Sequence, residues 1–277
     1  MTHHGTMLDA ARRTSVLERL RAHRPSILHA IDPFKVKLDQ AVEKARALEE
    51  LGFPAVILAS TDWEDFDAVV DRFIDEIRAA THDLPILLHF PPRLGYGMPM
   101  VGAADATMYP FLLGSTDPYF AWQSYAETVQ CLTDDPRRRP AREILHLAAL
   151  TFGTDQPSHE VMALEPIEST RVRAERLLEM IEILGLQGAY LFSRYEMVPP
   201  SVCRIFREQM PSDKILFASG GVREPERAHQ FFDAGVDFVV FCGALERPDW
   251  RPVLEALAAG APVAGIPAAP RTLAVAR

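Results

Sequence analysis

The chain has 277 residues, of which 48% are hydrophobic and 24% charged, which fits one large or two small domains with a sizeable core. Its formal net charge of −9 argues against a general nucleic-acid-binding surface. Glycine is scarce, with 15 residues against 22 prolines, where average usage of about 7% gives roughly nineteen glycines. Composition alone therefore does not favour phosphate binding through glycine-rich loops.

The cysteines and the N-terminus predict a cytoplasmic protein. Cys131, Cys203 and Cys242 lie far apart and form no metal-binding or disulfide pattern, as is usual in a reducing compartment. The first residues lack the apolar segment of a signal peptide. The chain contains no run of eighteen apolar residues, so we expect no transmembrane segment.

Short apolar runs alternate with amphipathic stretches over most of the chain. We expect an N-terminal extension with a helix over residues 1–25, a single domain over 26–259 and a disordered, Pro/Ala-rich tail over 260–277. The apolar runs predict parallel strands buried on both faces, at 27–31, 55–59, 85–90, 104–108, 144–152, 188–192, 214–218 and 236–241. Helical periodicity is clearest over 38–51, over 172–184 and after Pro225. Eight β/α units in roughly 230 residues predict an α/β fold of the (β/α)8 TIM-barrel type, with a doubly wound open sheet as the alternative.

The third unit departs from this alternation. Residues 91–103 read PPRLGYGMPMVGA, and three prolines with three glycines do not form a regular helix. An irregular segment is therefore expected in place of the third helix. It leaves one flank of the barrel thinly covered, which suits either an apolar groove or a plain loop.

The carboxyl ends of the predicted strands carry the candidate chemistry, because active sites of such barrels lie there. Asp32 follows the first strand, as a magnesium ligand or as the cap of a turn. The second strand ends in Ser60 and Thr61, whose hydroxyls suit the same ion or a helix cap. The seventh strand ends in Ser219, Gly220 and Gly221, and the eighth in Cys242 and Gly243. Loops at those two places often bind phosphate.

At this point the chain resembles the geranylgeranylglyceryl phosphate synthase family, TIM-barrel prenyltransferases that include bacterial heptaprenylglyceryl phosphate synthases. The resemblance covers about residues 26–247 and rests on an ordered series of segments: SILHAIDPFK, VILAST, PILLHFPP, ADATMYPFLLGSTDPYF, GAYLF, FASGGVREPERA and AGVDFVVFCG. It implies transfer of a prenyl group from an allylic diphosphate to a hydroxyl of a phosphorylated three-carbon acceptor. It also implies a homodimer.

The resemblance further implies roles for individual residues. Mg²⁺ would be held by Asp32 and Thr61. The phosphate of the acceptor would be bound by the glycine-containing strand ends and by the loop after the sixth strand, at Ser193, Arg194, Ser219, Gly220, Gly221, Cys242 and Gly243. The prenyl chain would lie in an apolar groove near the third unit, lined by Phe90, Tyr96, Tyr109, Phe111 and Tyr119.

Departures from the family pattern bear on the acceptor. Ala30 stands where the family usually has a lysine, and Phe192 stands where the sixth strand usually ends in glutamate. With Arg194 nearby, this change suggests a pocket for a carboxylate as well as a phosphate, because a guanidinium binds carboxylates in bidentate geometry. The chemistry then resembles that of the family member in moenomycin-type antibiotic biosynthesis, which joins a farnesyl group to 3-phosphoglycerate. We therefore expect a catalytic role for Asp32, Thr61 and Arg194.

Two alternatives stay open: a prenylglyceryl phosphate synthase that uses glycerol 1-phosphate, and a phosphate-binding barrel without catalysis. The general base is also open. His29, His89, Glu143 and Glu196 are candidates, and spacing does not choose among them.

Overall fold

The computed structural model describes residues 15–61, 65–134, 143–153, 162–165, 167, 171–193, 196–222, 224–246 and 249–260. Eight parallel strands form a closed barrel in chain order. The strands are β1 Ser26–Ile31, β2 Val56–Ala59, β3 Ile86–His89, β4 Ala106–Leu112, β5 Glu143–Thr151, β6 Gly188–Phe192, β7 Ile215–Ser219 and β8 Phe238–Phe241. The closed order confirms the predicted TIM barrel and excludes the open sheet.

Helices follow most of the strands. Within the described residues they are α1 Val16–Ala22, α2 Leu38–Glu50, α3 Phe66–Ala80, α4 Ser124–Asp134, α5 Arg171–Ile183, α6 Pro200–Gln209, α7 Pro225–Asp233 and α8 Trp250–Gly260. A π-helical turn, Tyr119–Gln123, leads into α4, and a 3-10 turn, Gly243–Leu245, follows β8. Helix α8 ends at Gly260, the first residue of the expected tail, and the remainder of that tail, residues 261–277, lies outside the described ranges.

Both faces of the strands are buried, which explains why the apolar runs do not alternate with polar residues. In β1, Leu28 and Ala30 point into the barrel and belong to its inner apolar cluster. Ile27 and Ile31 point outward into the larger cluster between the strands and the helices. Since side chains alternate along a strand, Asp32 follows on the inner face, at the carboxyl end of the barrel.

Helix α1 closes the amino end of the barrel. Its Val16 and Leu20 belong to the inner apolar cluster. Glu143, the first residue of β5, accepts hydrogen bonds from the Ser15 hydroxyl over 2.9 Å and from the Val16 N–H group over 2.7 Å. A carboxylate at a helix N-terminus stabilises the unpaired N–H groups there, so α1 is held at the end of the barrel opposite to Asp32.

The segment between β3 and β4, residues 90–105, contains no helix, as predicted. The carboxylate of Glu127 on α4 accepts the N–H groups of Gly95 over 2.8 Å and Gly97 over 3.2 Å. Gly97 has φ +69°, and a Cβ at this position would lie 2.8 Å from backbone atoms of Thr128. Only glycine therefore permits the segment to lie this close to α4.

The described residues include no helix with the combined length and apolar character needed to cross a bilayer.

Candidate functional site

Asp32 is the buried carboxylate at the open carboxyl end of the barrel, which we call the mouth. Its exposed fraction is 4%. One carboxylate oxygen accepts the N–H group of Phe34 over 3.0 Å, and the other accepts the hydroxyl of Ser60 over 3.1 Å. The ammonium of Lys35 lies 2.9 Å from that second oxygen, and its hydrogen bond to Asp32 raises the pKa of Lys35. The carboxylate is thus fixed in direction and balanced by one cation.

The hydroxyl that donates to Asp32 comes from Ser60, and the predicted ligand Thr61 is exposed. In the described residues no cluster of three or more histidine, cysteine, aspartate and glutamate side chains is arranged to hold a metal ion. One carboxylate with a neighbouring hydroxyl nevertheless fits Mg²⁺, which is commonly bound by one or two carboxylates and completed by water and substrate phosphates. Asp32 and Ser60 are therefore the residues suited to hold it.

The ends of β6 and β7 meet at the predicted phosphate loop. The N–H group of Ser193 lies 3.4 Å from the carbonyl oxygen of Ser219. Gly220 has φ +112°, and a Cβ there would overlap the carbonyl oxygens of Ser193 and Glu196. Gly221 follows with φ +63°. Two successive residues in this region of φ require glycine, so the backbone is free to approach a ligand at this point.

Cys242 and Gly243 follow β8, the strand next to β7. The thiol of Cys242 donates to the carboxylate of Glu246 over 3.4 Å. Burial, together with that carboxylate, raises the pKa of Cys242 to about 12, so the thiol stays protonated. A Cβ on Gly243 would meet no atom within 4 Å, which leaves space beside its backbone. Arg194, the remaining predicted phosphate ligand, lies outside the described residues.

An aromatic wall lines the inner face on the β6 side. The ring of Tyr190 lies 5.9 Å from that of Phe192 and 5.1 Å from that of His89. Burial raises the pKa of Tyr190 to about 12, against the opposing effect of its hydrogen bond to the Ser219 side chain. Phe192, half-buried, packs against the inner cluster. The end of β6 therefore presents an apolar ring to the mouth.

The four candidate general bases occupy different places. His29 points outward, stacks on Phe241 at 5.2 Å and is fully buried, and Glu143 caps α1 at the opposite end of the barrel. Glu196 is exposed in the loop beside Gly220. His89, the last residue of β3, faces the mouth beside Tyr190, and burial lowers its pKa.

The five residues predicted to line a prenyl groove surround the irregular segment in two groups. Phe90 and Tyr96 pack on Phe66 of α3, at 4.8 Å and 6.2 Å between ring centroids. Tyr109 and Phe111 point outward from β4, 5.1 Å apart. Phe90 and Tyr109 are each 1% exposed and pack as core residues.

Tyr119 belongs to the same flank. Its hydroxyl donates to Glu127 over 2.6 Å, on the carboxylate that also accepts the N–H groups of Gly95 and Gly97. The partly buried side chains, Tyr96 and Phe111, lie at the edges of the two aromatic groups.

Comparisons with known proteins give one consistent group of relatives, although no family model matches the chain. Over 241 residues the chain is 29% identical to the geranylgeranylglyceryl phosphate synthase of Cenarchaeum symbiosum, covering 84% of this chain and 92% of the relative. Over 230 residues it is 26% identical to the enzyme of the same name from Thermofilum pendens, covering 81% and 84%.

Solved structures share the fold. The (S)-3-O-geranylgeranylglyceryl phosphate synthase of Thermoplasma acidophilum, in complex with its substrate sn-glycerol-1-phosphate, superposes with a TM-score of 0.76 at 19% identity, covering 90% of this chain and 99% of that one. The wild-type enzyme of Thermoplasma volcanium gives a TM-score of 0.77 at 20% identity, covering 91% and 99%. The similarities in sequence and fold together support the geranylgeranylglyceryl phosphate synthase family as the relatives of this chain and identify it as a prenyltransferase.

Proposed function

We propose that the protein transfers a prenyl group from an allylic diphosphate to a hydroxyl of a phosphorylated three-carbon alcohol, forming an ether and releasing diphosphate. The observation that carries this proposal is the juxtaposition at one barrel mouth of a buried carboxylate, Asp32, and a phosphate-type loop at Gly220 and Gly221. The first suits a metal-bound diphosphate and the second suits the phosphate of an acceptor. Relatives that match more than four fifths of the chain support the same reaction.

In this reaction the residues of the chain bind, orient and exclude water. Asp32 and Ser60 would hold Mg²⁺, which when bound neutralises charge on the departing diphosphate. The backbone at Gly220 and Gly221 would hold the acceptor phosphate, which places the acceptor hydroxyl above the mouth. The apolar side chains Tyr190 and Phe192 keep water away from the electron-poor allylic carbon.

Glycerol 1-phosphate is the acceptor that the comparisons support best. It is the substrate in the structure from Thermoplasma acidophilum, which shares the barrel over 90% of this chain. A barrel without catalysis, the other alternative from the sequence, has no support among these relatives. We therefore place glycerol 1-phosphate before 3-phosphoglycerate.

One observation favours 3-phosphoglycerate as a second candidate. At the end of β6, where the resembling family usually carries glutamate, the chain places the half-buried ring of Phe192. A carboxylate at this position would repel an acceptor with its own carboxylate, and an apolar ring does not. This candidate corresponds to farnesyl transfer of the phosphoglycolipid antibiotic type.

The test is a product assay with radiolabelled geranyl, farnesyl and geranylgeranyl diphosphates, Mg²⁺, and each acceptor in turn. Ether product with glycerol 1-phosphate supports the first candidate, and a kcat/KM at least about tenfold higher with 3-phosphoglycerate supports the second. Absence of product with both acceptors contradicts the proposed function. The variant Phe192→Glu sharpens the choice, because it should lower activity towards 3-phosphoglycerate more than towards glycerol 1-phosphate.

Two further expectations belong to this proposal. Dependence of turnover on Mg²⁺ is tested by adding a chelator and then restoring the ion. The predicted homodimer is tested by light scattering on the purified chain. Leu94 of the irregular segment and Trp122 before α4 are exposed apolar side chains that are available for such an association.

A further inference from the structure

Four titratable side chains of the described residues face the mouth from the inner side of the strands: Asp32, His89, Tyr190 and Cys242. Asp32 is occupied by the hydroxyl of Ser60 and the ammonium of Lys35. Tyr190 and Cys242 keep their protons at neutral pH, since burial raises the pKa of each to about 12. His89 is therefore the member of this set that is suited to accept a proton.

The hydrogen bonds around His89 orient the lone pair of its ring. Its Nδ1 lies 3.3 Å from the carbonyl oxygen of Met108 on β4. A carbonyl only accepts, so Nδ1 carries the proton and Nε2 is left as the acceptor. Burial lowers the pKa of His89, which keeps the ring neutral at physiological pH. The arrangement is that of a base held in one tautomer by a backbone group.

His89 lies between the Asp32 side of the mouth and the side of the phosphate loop. In the parallel register His89 pairs with Ala59, the residue before Ser60, whose hydroxyl donates to Asp32. On its other side the imidazole lies 5.1 Å from the ring of Tyr190, which is hydrogen-bonded to Ser219 at the start of the phosphate loop. His89 thus stands between the carboxylate suited to the diphosphate and the loop suited to the acceptor.

We propose that His89 is the general base that takes the proton of the acceptor hydroxyl; this inference rests on the proposed function. The bond between the allylic carbon and the diphosphate oxygen breaks, and diphosphate leaves with the electron pair. The acceptor oxygen forms the new bond to that carbon, and its proton moves to Nε2 of His89. Release of this proton to solvent returns the imidazole to its starting state.

The other histidine and glutamate candidates are less suited by position. His29 faces the helices on the outside of the barrel, and Glu143 caps α1 at the closed end. Glu196 lies beside the phosphate loop with an exposed side chain, and a carboxylate at this place would repel the acceptor phosphate.

The experiment compares His89→Ala and His89→Gln with the wild type, with His229→Gln, an exposed histidine on α7, as the control. Turnover is measured with the acceptor that the wild type uses, and prenyl diphosphate affinity is measured separately by calorimetry. We expect turnover of both His89 variants to fall by about a hundredfold or more, with affinity for prenyl diphosphate within about twofold of the wild type. Added imidazole should restore His89→Ala by at least about tenfold, because a free base can enter the space left by the ring.

Turnover of the His89 variants within about threefold of the wild type overturns the inference while leaving the proposed function intact. The same holds for a loss that imidazole does not restore and that is accompanied by lost diphosphate affinity, since this result assigns His89 a structural role. If His89→Ala does not fold, His89→Gln carries the comparison of turnover with affinity. A wild type that forms no ether product contradicts the proposed function itself.

Discussion

The phenolic hydroxyl of Tyr119 donates a 2.6 Å hydrogen bond to the carboxylate of Glu127, one helical turn into α4. The same carboxylate accepts the N–H groups of Gly95 and Gly97. Burial of the phenol and the neighbouring negative charge both raise the pKa of Tyr119, so the hydroxyl remains a donor. One side chain thereby anchors the segment that replaces the third helix.

Replacing this anchor should loosen the segment. Glu127→Ala removes the acceptor of three hydrogen bonds, and we expect the free energy of unfolding to fall by about 1–3 kcal/mol. Hydrogen exchange of the Gly95 amide should become faster, whereas the Gly97 amide keeps its 2.8 Å hydrogen bond to the carbonyl oxygen of Arg93. Tyr119→Phe is the matched control, because it removes the phenolic bond and leaves the carboxylate available to both amides. Unchanged exchange in Glu127→Ala would contradict the anchoring role.

The loops after β7 and β8 should differ in how well they tolerate a side chain in place of glycine. Gly220→Ala places a Cβ against two carbonyl oxygens at φ +112°, and we expect a loss of stability of about 1–3 kcal/mol together with weaker binding of the acceptor. Gly243→Ala meets open space and should change the stability much less. Thermal unfolding and calorimetry with glycerol 1-phosphate provide the two measurements. Equal effects of the two substitutions would argue against the close approach at Gly220.

Lys35 should strengthen the binding of prenyl diphosphate and weaken the binding of Mg²⁺. Its ammonium is paired with buried Asp32, yet the side chain is 54% exposed, so the ammonium is able to turn towards an incoming diphosphate. We expect Lys35→Met to weaken prenyl diphosphate binding by about tenfold or more and to strengthen Mg²⁺ binding in the absence of diphosphate, because a cation that competes for Asp32 is gone.

Calorimetry with each ligand alone tests this prediction. Lys37→Met, an exposed lysine two residues further along the chain, should leave both affinities unchanged. A parallel loss of both affinities in Lys35→Met would show that Lys35 only holds the loop in place.

His29 should make the fold sensitive to acid. Burial lowers its pKa to about 3, whereas the unfolded chain titrates near 6.5. Between these values the unfolded chain binds a proton that the folded chain does not, so the free energy of unfolding falls as the pH drops below about 6.5, by about 1.4 kcal/mol per pH unit. His29→Asn keeps a donor for the carbonyl oxygen of Phe241 and removes this titration.

Urea unfolding of both proteins between about pH 7 and pH 5 separates this contribution from those of His89 and His146, whose pKa values are also lowered. As the pH drops, the free energy of unfolding of the wild type should fall relative to that of His29→Asn. A constant difference would contradict the assignment.

The sequence predicts the barrel because its strands are apolar on both faces and because the apolar residues of its helices recur with helical periodicity. The fourth apolar run of the sequence predicts a strand that ends at residue 108. In the structure the strand continues to Leu112, and Pro110 pairs with Leu147 of β5. Strand ends are set by register with the neighbours, which the sequence does not encode locally.

The site was accessible in part for the same reason. Asp32 and Gly220 are candidates from the sequence because they come at the carboxyl ends of predicted strands, where the active sites of such barrels lie. The resemblance assigns the hydroxyl ligand of the ion to Thr61, whereas the hydroxyl that donates to Asp32 belongs to its neighbour Ser60. Successive side chains of an extended segment point in opposite directions. The position of Lys35, three residues after Asp32, was the available signal for their ion pair. His89 lies two residues after Leu87 of the inner cluster, so strand alternation turns it inward. Its contacts with Met108 and Tyr190 come from other strands, which spacing along the sequence does not report.

The contact of Glu143 with the first turn of α1 has a consequence for the order of folding. Helix α1 precedes the eight strands, yet its capping carboxylate lies 127 residues later in the chain. Its apolar residues join an inner cluster that includes Phe238 and Val240 of the last strand. Because contacts this distant in sequence form late, we expect α1 to dock on the barrel after the strands have closed, although it precedes all eight strands in the chain.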